Sequence, residues 1–215
     1  LSISAQSTPP AYSGFTFGMR FQTMQTDDFS DQAEVLGYPK LTNEMSDIHF
    51  GYTGVKDRWI NSFNFFYGNQ AEQSEDSSRS KYRRVGIEFN MAFNVMGKNS
   101  NWLVGPEGMV GYQYEQVVLS DTPTINSLAA SLDTEYYSYT NFSIPASLGA
   151  TIGYYISTNE EECRGILLNL RTGYRFGDSE FWELDNAVQV RDFGVEDSGV
   201  YATFSIAFVG MKKRD

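Results

Sequence analysis

The chain has 215 residues, a formal net charge of −11 and 15% aromatic side chains. This acidity excludes a protein that binds nucleic acid through a basic face, because such a face is needed to neutralise phosphates, and the aromatic content is not that of a disordered chain. No run of about 18 apolar residues occurs, which excludes a transmembrane helix. A membrane β-barrel is not excluded, since its strands alternate polar and apolar residues.

The N-terminal segment, residues 1–12, precedes the first predicted strand. Its first residues, Leu-Ser-Ile-Ser-Ala-Gln, fit the end of a signal peptide with Ala5 before the cleavage point, and they also fit an ordinary trimmed N-terminus. Residues 13–215 contain no linker and no repeat of fixed period. They are therefore predicted to form a single β-barrel domain.

Two-residue alternation of apolar and polar side chains runs through the chain from residue 13 onwards. In its clearest stretch, 84–95, Val85 and Ile87 belong to one face, and Arg84 and Glu88 belong to the other. This period places the two sets on opposite sides of a β-strand. It predicts eight strands, over 13–25, 47–54, 59–68, 84–95, 102–116, 140–157, 164–176 and 199–211.

The lengths of these strands and of their connections indicate the architecture. Most of the strands reach the roughly 9–11 residues that a tilted strand needs to span a membrane, whereas about 5–6 residues are usual in soluble sheets. Short connections at 55–58, 96–101 and 157–163 alternate with long ones at 26–46, 69–81, 117–137 and 177–198. All long loops then lie at one end of a meander, and both termini lie at the other. The prediction is an all-β fold, an eight-stranded antiparallel up-and-down transmembrane β-barrel.

The negative charge is concentrated in the four long loops, which contain 18 acidic and 4 basic residues. The last loop is the most acidic. We expect it to present an acidic outer surface made of Asp178, Glu180, Glu183, Asp185 and Asp192.

Charged residues within the strands fall almost entirely on the polar face. An eight-stranded barrel has an interior just wide enough for side chains to fill, and buried charges require partners. We therefore expect a closed lumen with a structural network of three bases and three acids. Its predicted members are Arg20, Glu88, Glu107, Glu115, Arg171 and Arg175.

Two segments carry a family resemblance. Gly-Phe-Thr-Phe-Gly-Met-Arg-Phe at 14–21 and Tyr-Ala-Thr-Phe-Ser-Ile-Ala-Phe at 201–208 resemble strands of the small, porin-like eight-stranded outer-membrane β-barrels of the outer-membrane protein A transmembrane-domain type. The resemblance implies a Gram-negative outer-membrane location, with long loops outside and termini in the periplasm. The second segment departs from the family pattern, because seven residues follow Phe208 instead of the chain ending on the aromatic residue.

The functional prediction is a non-enzymatic structural or accessory subunit of an outer-membrane complex, acting through its acidic outer loops and outer wall. Its expected partners are outer-membrane lipid, lipopolysaccharide and other outer-membrane or periplasmic proteins, and we expect no cofactor, metal site or catalytic residue. One alternative is a barrel enzyme that modifies lipid or cleaves peptides. However, the single histidine, His49, is predicted to point into the lumen. The other alternative is a soluble lipocalin-like carrier, in which the apolar face would point inwards.

Overall fold

A computed structural model describes residues 11–74, 78–96, 100–121, 136–159, 164–177, 181–184, 188–191 and 195–211. Its elements in chain order are β1 (Tyr12–Thr23), α1 (Asp27–Val35), β2 (Glu44–Lys56), β3 (Trp59–Gln73), β4 (Ser78–Phe93), β5 (Trp102–Asp121), β6 (Tyr136–Ser143), β7 (Ala146–Asn159), β8 (Arg164–Phe176), β9 (Phe181–Leu184), β10 (Val188–Arg191) and β11 (Gly199–Met211). The one helix among these residues is too short to cross a membrane.

Eight antiparallel strands close into a barrel. The ring runs β1-β2-β3-β4-β5-β7-β8-β11, and β11 returns to pair with β1. We call the end that contains the β2–β3 turn and the start of β1 the turn end, and the end that contains α1, β9 and β10 the loop end. Asp57 in the β2–β3 turn has a positive φ of 58°, a conformation that aspartate tolerates better than most residues. The predicted eight-stranded antiparallel barrel is confirmed.

The sixth barrel strand is divided in two, where the sequence predicts a single strand over 140–157. β7 pairs with β8 and with the turn-end half of β5, whereas β6 pairs with the loop-end half of β5 and with β9. The division falls at Ile144 and Pro145. Proline has no N–H to donate to a ladder and is tolerated at edges and irregularities, while the Pro145 carbonyl still accepts a bond from the Gly111 amide at 2.8 Å.

The segments predicted as long loops contain secondary structure. Residues 26–46 include α1, and residues 177–198 include the short hairpin strands β9 and β10. The prediction of a long loop at 69–81 is wrong, because β3 and β4 continue as a paired ladder that reaches Gln73 and Arg79. The sequence of this hairpin shows no apolar–polar alternation, because beyond the apolar wall neither of its faces needs to be apolar.

The barrel wall is apolar outside and polar inside. Large side chains of the strands point outwards and stay exposed, among them Phe15, Phe50, Phe89, Phe142 and Phe208. The alternate positions are buried and largely polar. This is the polarity of a transmembrane barrel and the reverse of a soluble one, so a lipocalin-like carrier with an apolar interior does not fit.

Candidate functional site

The barrel interior has three layers along its axis. At the turn end lies an apolar floor made of Tyr12, Val55, Ile60, Ala92, Leu103, Tyr155, Leu167, Ala207 and Val209. At the loop end lies an apolar cap made of Met24, Phe29, Ala33, Tyr38, Leu41, Met45, Tyr82, Val117, Leu119, Tyr139, Trp182 and Val195. Between them lies a polar layer, whose charged and histidine members are Arg20, Asp47, His49, Arg84, Glu88, Glu107, Glu115, Arg171, Arg175 and Asp197.

Asp197 is the most heavily bonded carboxylate of the polar layer, although it belongs to the segment before β11 and not to a strand. Arg84 donates from Nη1 to its Oδ1, and Arg175 Nε donates to its Oδ2 at 2.5 Å. Gln22 Nε2 donates to Oδ1 at 2.6 Å, and Gln113 Nε2 donates to Oδ2 at 2.9 Å. Both carboxylate oxygens are thus satisfied by groups from four different strands.

Arg84 links Asp197 to a second carboxylate. Its Nε and Nη2 donate to the two oxygens of Asp47 at 3.0 and 2.6 Å, in the forked geometry that makes arginine–carboxylate pairs strong. The next arginine, Arg20, lies 3.7 Å from Asp47 Oδ2 and donates to Glu88 Oε2 at 2.5 Å. Charges therefore alternate in sign from residue to residue across the lumen.

His49 is held in this chain of charges by both ring nitrogens. Its Nε2 lies 2.9 Å from Arg20 Nη2, and its Nδ1 lies 3.4 Å from Glu88 Oε1. A guanidinium can only donate, so Nε2 accepts and the proton belongs on Nδ1, facing Glu88. Both nitrogens of His49 are occupied, which leaves the imidazole no free position for general-base chemistry.

Phe66 is an aromatic residue at the centre of the polar layer. It lies on the inward face of β3 and is 1% exposed. The guanidinium carbons of Arg20, Arg175 and Arg84 lie 5.4, 5.5 and 5.9 Å from its ring centroid, within cation–π range. The His49 ring stacks at 5.8 Å. The ring separates three like charges and interacts favourably with each.

All six residues predicted for the lumen network are buried in the barrel: Arg20, Glu88, Glu107, Glu115, Arg171 and Arg175. They do not form one set. Arg20 and Arg175 approach Glu88, at 2.5 and 3.7 Å. Arg171 forms a looser pair with Glu107, at 3.6 Å.

Glu115 has hydrogen-bond partners that are neutral. Tyr82 donates to its Oε1 at 2.5 Å, and Asn141 and Ser143 donate to its Oε2 at 3.0 and 2.9 Å. The expected arginine partner is replaced by three neutral donors, two of which belong to β6. Glu115 therefore ties β4 and β6 to β5.

The sequence-based network omitted three charged members of the polar layer: Asp47, Arg84 and Asp197. The described layer has four arginines and five carboxylates, so the predicted balance of three against three is wrong. Alternation could have found Asp47 and Arg84, because both occupy inward strand positions. No strand pattern marks Asp197, which the sequence suggested as one of many solvated loop acids.

The electrostatic environment of Asp197 keeps it ionised. Burial alone raises the pKa of this carboxyl group. The charges of Arg175 and Arg84, with the hydrogen bonds from Gln113 and Arg175, outweigh burial and lower the pKa to about 2. Asp197 therefore remains an anion at neutral pH, and its ion pairs are intact there.

The apolar cap is formed by the helix and the loop-end segments together with residues at the loop ends of β2, β4, β5 and β6. α1 has Asp27 and Asp28 in its first turn, where they interact favourably with the helix dipole. It buries Phe29 and Ala33 against the cap. The chain then turns at Gly37, whose φ of +86° favours glycine after a helix. The helix thus lies over the barrel mouth and contributes to a small apolar core of the kind found in soluble proteins.

The predicted acidic surface lies largely outside the described residues. This is so for Asp178, Glu180, Asp185 and Asp192. Glu183 lies on β9 and is exposed, paired in register with Gln189 and Thr140. The exposed acids of α1 add to the negative charge at the loop end.

Among the described residues, no group of three or more histidine, cysteine, aspartate or glutamate side chains has the arrangement of a metal site. His49 contacts Arg20, Glu88 and Phe66 rather than a serine or threonine hydroxyl. The polar layer is thus a set of buried side chains joined to one another by ion pairs and hydrogen bonds.

No protein-family model and no curated protein sequence matches the chain. Among solved structures it is similar to Ail, the attachment invasion locus protein of Yersinia pestis, with 12% identity and a TM-score of 0.49 over 93% of this chain and 99% of that one. A second structure of Ail, in complex with the heparin analogue sucrose octasulfate, gives 11% identity and 0.48 over the same shares. Neisserial surface protein A gives 10% identity and 0.40 over 96% of this chain and 100% of that one.

Proposed function

We propose that this chain is a non-enzymatic outer-membrane barrel with a sealed lumen, and that it acts as a structural or accessory subunit of an outer-membrane complex. Its loop end faces outwards, and both termini are periplasmic. Partners meet the protein at its acidic outer loops and its outer wall. The observation that carries the proposal is the inverted polarity of a closed eight-stranded wall.

The exposed apolar wall supports a membrane location. On β1 alone, Phe15, Phe17 and Phe21 are each more than half exposed. Leaving such side chains in water costs about 1.5–3 kcal/mol each relative to burial, and the other barrel strands present the same kind of face. Trp59 and Trp102 near the turn end, and Tyr67 and Tyr174 towards the loop end, are exposed in the manner of interfacial aromatic girdles.

The packed interior supports a structural role and argues against transport. The apolar floor and cap occupy the two ends of the lumen, and the polar layer between them consists of side chains joined by ion pairs and hydrogen bonds. A diffusing solute would have to displace side chains that bond one another. Other molecules would therefore bind the outer wall and the loops of such a barrel and not its lumen.

The alternative of a lipid-modifying or proteolytic barrel enzyme is not favoured by the described residues. His49 lies 3.9 Å from Asp47 and 3.4 Å from Glu88, but all three side chains are buried and engaged with Arg20 or Arg84. A hydrolase of the serine type needs a nucleophile beside a free general base, and both nitrogens of His49 are occupied. The loop end instead presents exposed acids on α1, which suits contact with a basic or cation-bridged partner.

The proposal is tested first by the physical behaviour of the protein. We expect the chain to require detergent and to migrate differently in gels with and without boiling, as a folded barrel does. A freely soluble monomer without detergent would overturn the membrane assignment.

The accessory role is tested by co-purification in mild detergent. The variant Asp28→Asn, Asp31→Asn, Glu34→Gln removes three exposed acids of α1. We expect it to lose a protein that the wild type retains at stoichiometric level, and the control Lys56→Gln at the turn end to keep it. A wild type that purifies alone from native membranes would count against the subunit role.

A further inference from the structure

Three basic side chains form a row on the outward face of β4 near the loop end. Arg79, Lys81 and Arg83 occupy alternate positions, directly beyond the outward-facing Val85. Alternate residues on a strand are roughly 7 Å apart, so the row is about 14 Å long. We call these three residues the basic ladder.

The basic ladder begins where the apolar wall ends. In the sheet register Val85 lies between Tyr67 of β3 and Tyr114 of β5, and Tyr67 and Val85 are exposed. Tyrosines at such a level mark the boundary between the hydrocarbon and the headgroups. The ladder therefore stands at headgroup height on the wall, immediately above an acyl-chain surface.

The charges of the basic ladder are not compensated by described residues. Its neighbours in register on β3 are Asn69, Ala71 and Gln73, and those on β5 are Gln116, Val118 and Ser120. Glu72, the acid on this part of β3, occupies the opposite face. Arg79 and Lys81 form no ion pair within the described part of the chain.

Arg83 is positioned by a neutral partner. Its Nε donates to Gln116 Oε1, and Gln116 Nε2 in turn donates to Ser138 Oγ at 2.7 Å. This bond orients the guanidinium without neutralising it, and no other described residue accepts a bond from its terminal amino groups. A planar fork of this kind suits phosphate oxygens.

Other basic side chains of the loop end and the lumen that the structure describes have acids beside them. Lys40 pairs with Asp31 and Glu34 at 2.9 and 3.0 Å. Arg84, one residue after the ladder but on the inward face, binds Asp47 and Asp197. A row of three bases with no acid beside it among the described residues is therefore exceptional in a chain whose loops are strongly acidic.

We propose that the basic ladder binds the phosphate groups of a phosphorylated lipid in the outer leaflet, with the acyl chains of that lipid lying on the apolar wall below Val85. The inference rests on the proposed outer-membrane location, which places the loop end in that leaflet. The three positive charges favour phosphate groups as the ligand. Because the ladder adjoins the apolar wall, a ligand that also has acyl chains is favoured over a soluble anion.

The test measures binding of bis-phosphorylated lipid A to the full chain in detergent by native mass spectrometry. The ladder variant is Arg79→Gln, Lys81→Gln, Arg83→Gln. The matched control, Lys56→Gln, Arg58→Gln, Arg164→Gln, removes three exposed bases at the turn end. We expect at least about tenfold weaker binding for the ladder variant, since each base near an anionic lipid surface contributes measurably, and less than about threefold for the control.

Three further results decide the proposal. Lipid A without phosphates should bind wild type and ladder variant equally, and tripolyphosphate should not displace bound lipid A. Equal losses in both triple variants, no loss in the ladder variant, or displacement by tripolyphosphate would each overturn it. If the triple variant does not fold, the pair Arg79→Gln, Lys81→Gln, which removes no described hydrogen bond, should still weaken binding by about fivefold.

Failure of the ladder is distinguishable from failure of the proposed function. Each protein is first run with and without boiling. A wild type that shows no gel shift and needs no detergent contradicts the membrane barrel itself. A normal shift with unchanged lipid A binding contradicts the ladder alone.

Discussion

The polar layer and the apolar cap fill neighbouring parts of one barrel with opposite chemistry. The polar layer consists of strand side chains, with Asp197 as its one member from a loop-end segment, and its stability depends on every charge having a partner. The cap combines α1, β9 and the segments around them with apolar residues at the loop ends of β2, β4, β5 and β6, and it depends on apolar contact. The barrel thus resembles a membrane protein in its wall and a small soluble protein in its mouth. Substitutions in the two regions should therefore fail in different ways.

Loss of a central arginine should have the largest effect. Arg84→Met leaves Asp47 and Asp197 buried without their shared partner, and breaking a buried ion pair costs about 3–5 kcal/mol. We expect that loss in the free energy of unfolding, measured by urea titration of the gel shift. Arg83→Met is the matched control, because the adjacent residue faces outwards, and its effect should stay below about 1 kcal/mol. Equal effects of the two substitutions would contradict the structural role of the polar layer.

A substitution in the cap should unfold the cap without unfolding the barrel wall. Phe29→Ala removes a fully buried ring and costs about 3 kcal/mol within the cap. We expect faster proteolysis in 24–43 with an unchanged temperature of the gel shift, because the wall does not depend on α1. Val35→Ala is the control, since Val35 is 87% exposed. If Phe29→Ala lowered the unfolding temperature of the whole barrel, cap and wall would be one cooperative unit.

Acid should weaken the polar layer before it affects the cap. The pKa of Asp197 is about 2 in the folded protein, below its ordinary value of 3.8. Its contribution of about 2 kcal/mol is complete above pH 4 and disappears as the pH falls towards 2. We expect the free energy of unfolding to drop across this window in the wild type and to drop less in Asp197→Asn. An identical pH profile for both proteins would contradict this assignment.

The smallest of these effects concerns Phe66. Phe66→Leu keeps an apolar side chain but removes three cation–π contacts, at a cost of about 1–2 kcal/mol. Phe65→Leu changes the preceding aromatic residue, which is exposed on the outer wall, and should cost less than about 1 kcal/mol. Urea titration of the two variants in parallel compares the faces of one strand. A larger loss from Phe65→Leu would contradict the central position of Phe66.

The sequence predicts most strands of the wall, but only some of the contacts inside the barrel. Two-residue alternation is imposed on every strand that separates lipid from lumen, so β8 and β11 have the predicted bounds of 164–176 and 199–211. The constraint ends where the wall leaves the membrane. The polar β3–β4 extension beyond it has the sequence pattern of a loop, and no alternation marks the division of the predicted strand 140–157 at Pro145.

The lumen contacts depend on position in three dimensions. Alternation placed Arg20, Glu88 and Arg175 inside but could not tell which carboxylate each arginine meets. Phe66 follows Phe65 directly, and successive strand residues point to opposite faces. The sequence therefore indicates that one of the two rings faces the lumen. Asp197 has no periodic signal, because a loop-end segment brings it to Arg84 across 113 residues of chain.

The central claim is that the three layers seal the barrel, and single-channel recording in planar bilayers tests it most directly. Purified wild-type protein in a bilayer is expected to give no stable conductance at neutral pH, because floor, polar layer and cap all occupy the lumen. A stable open-channel current from the folded wild type would contradict the claim.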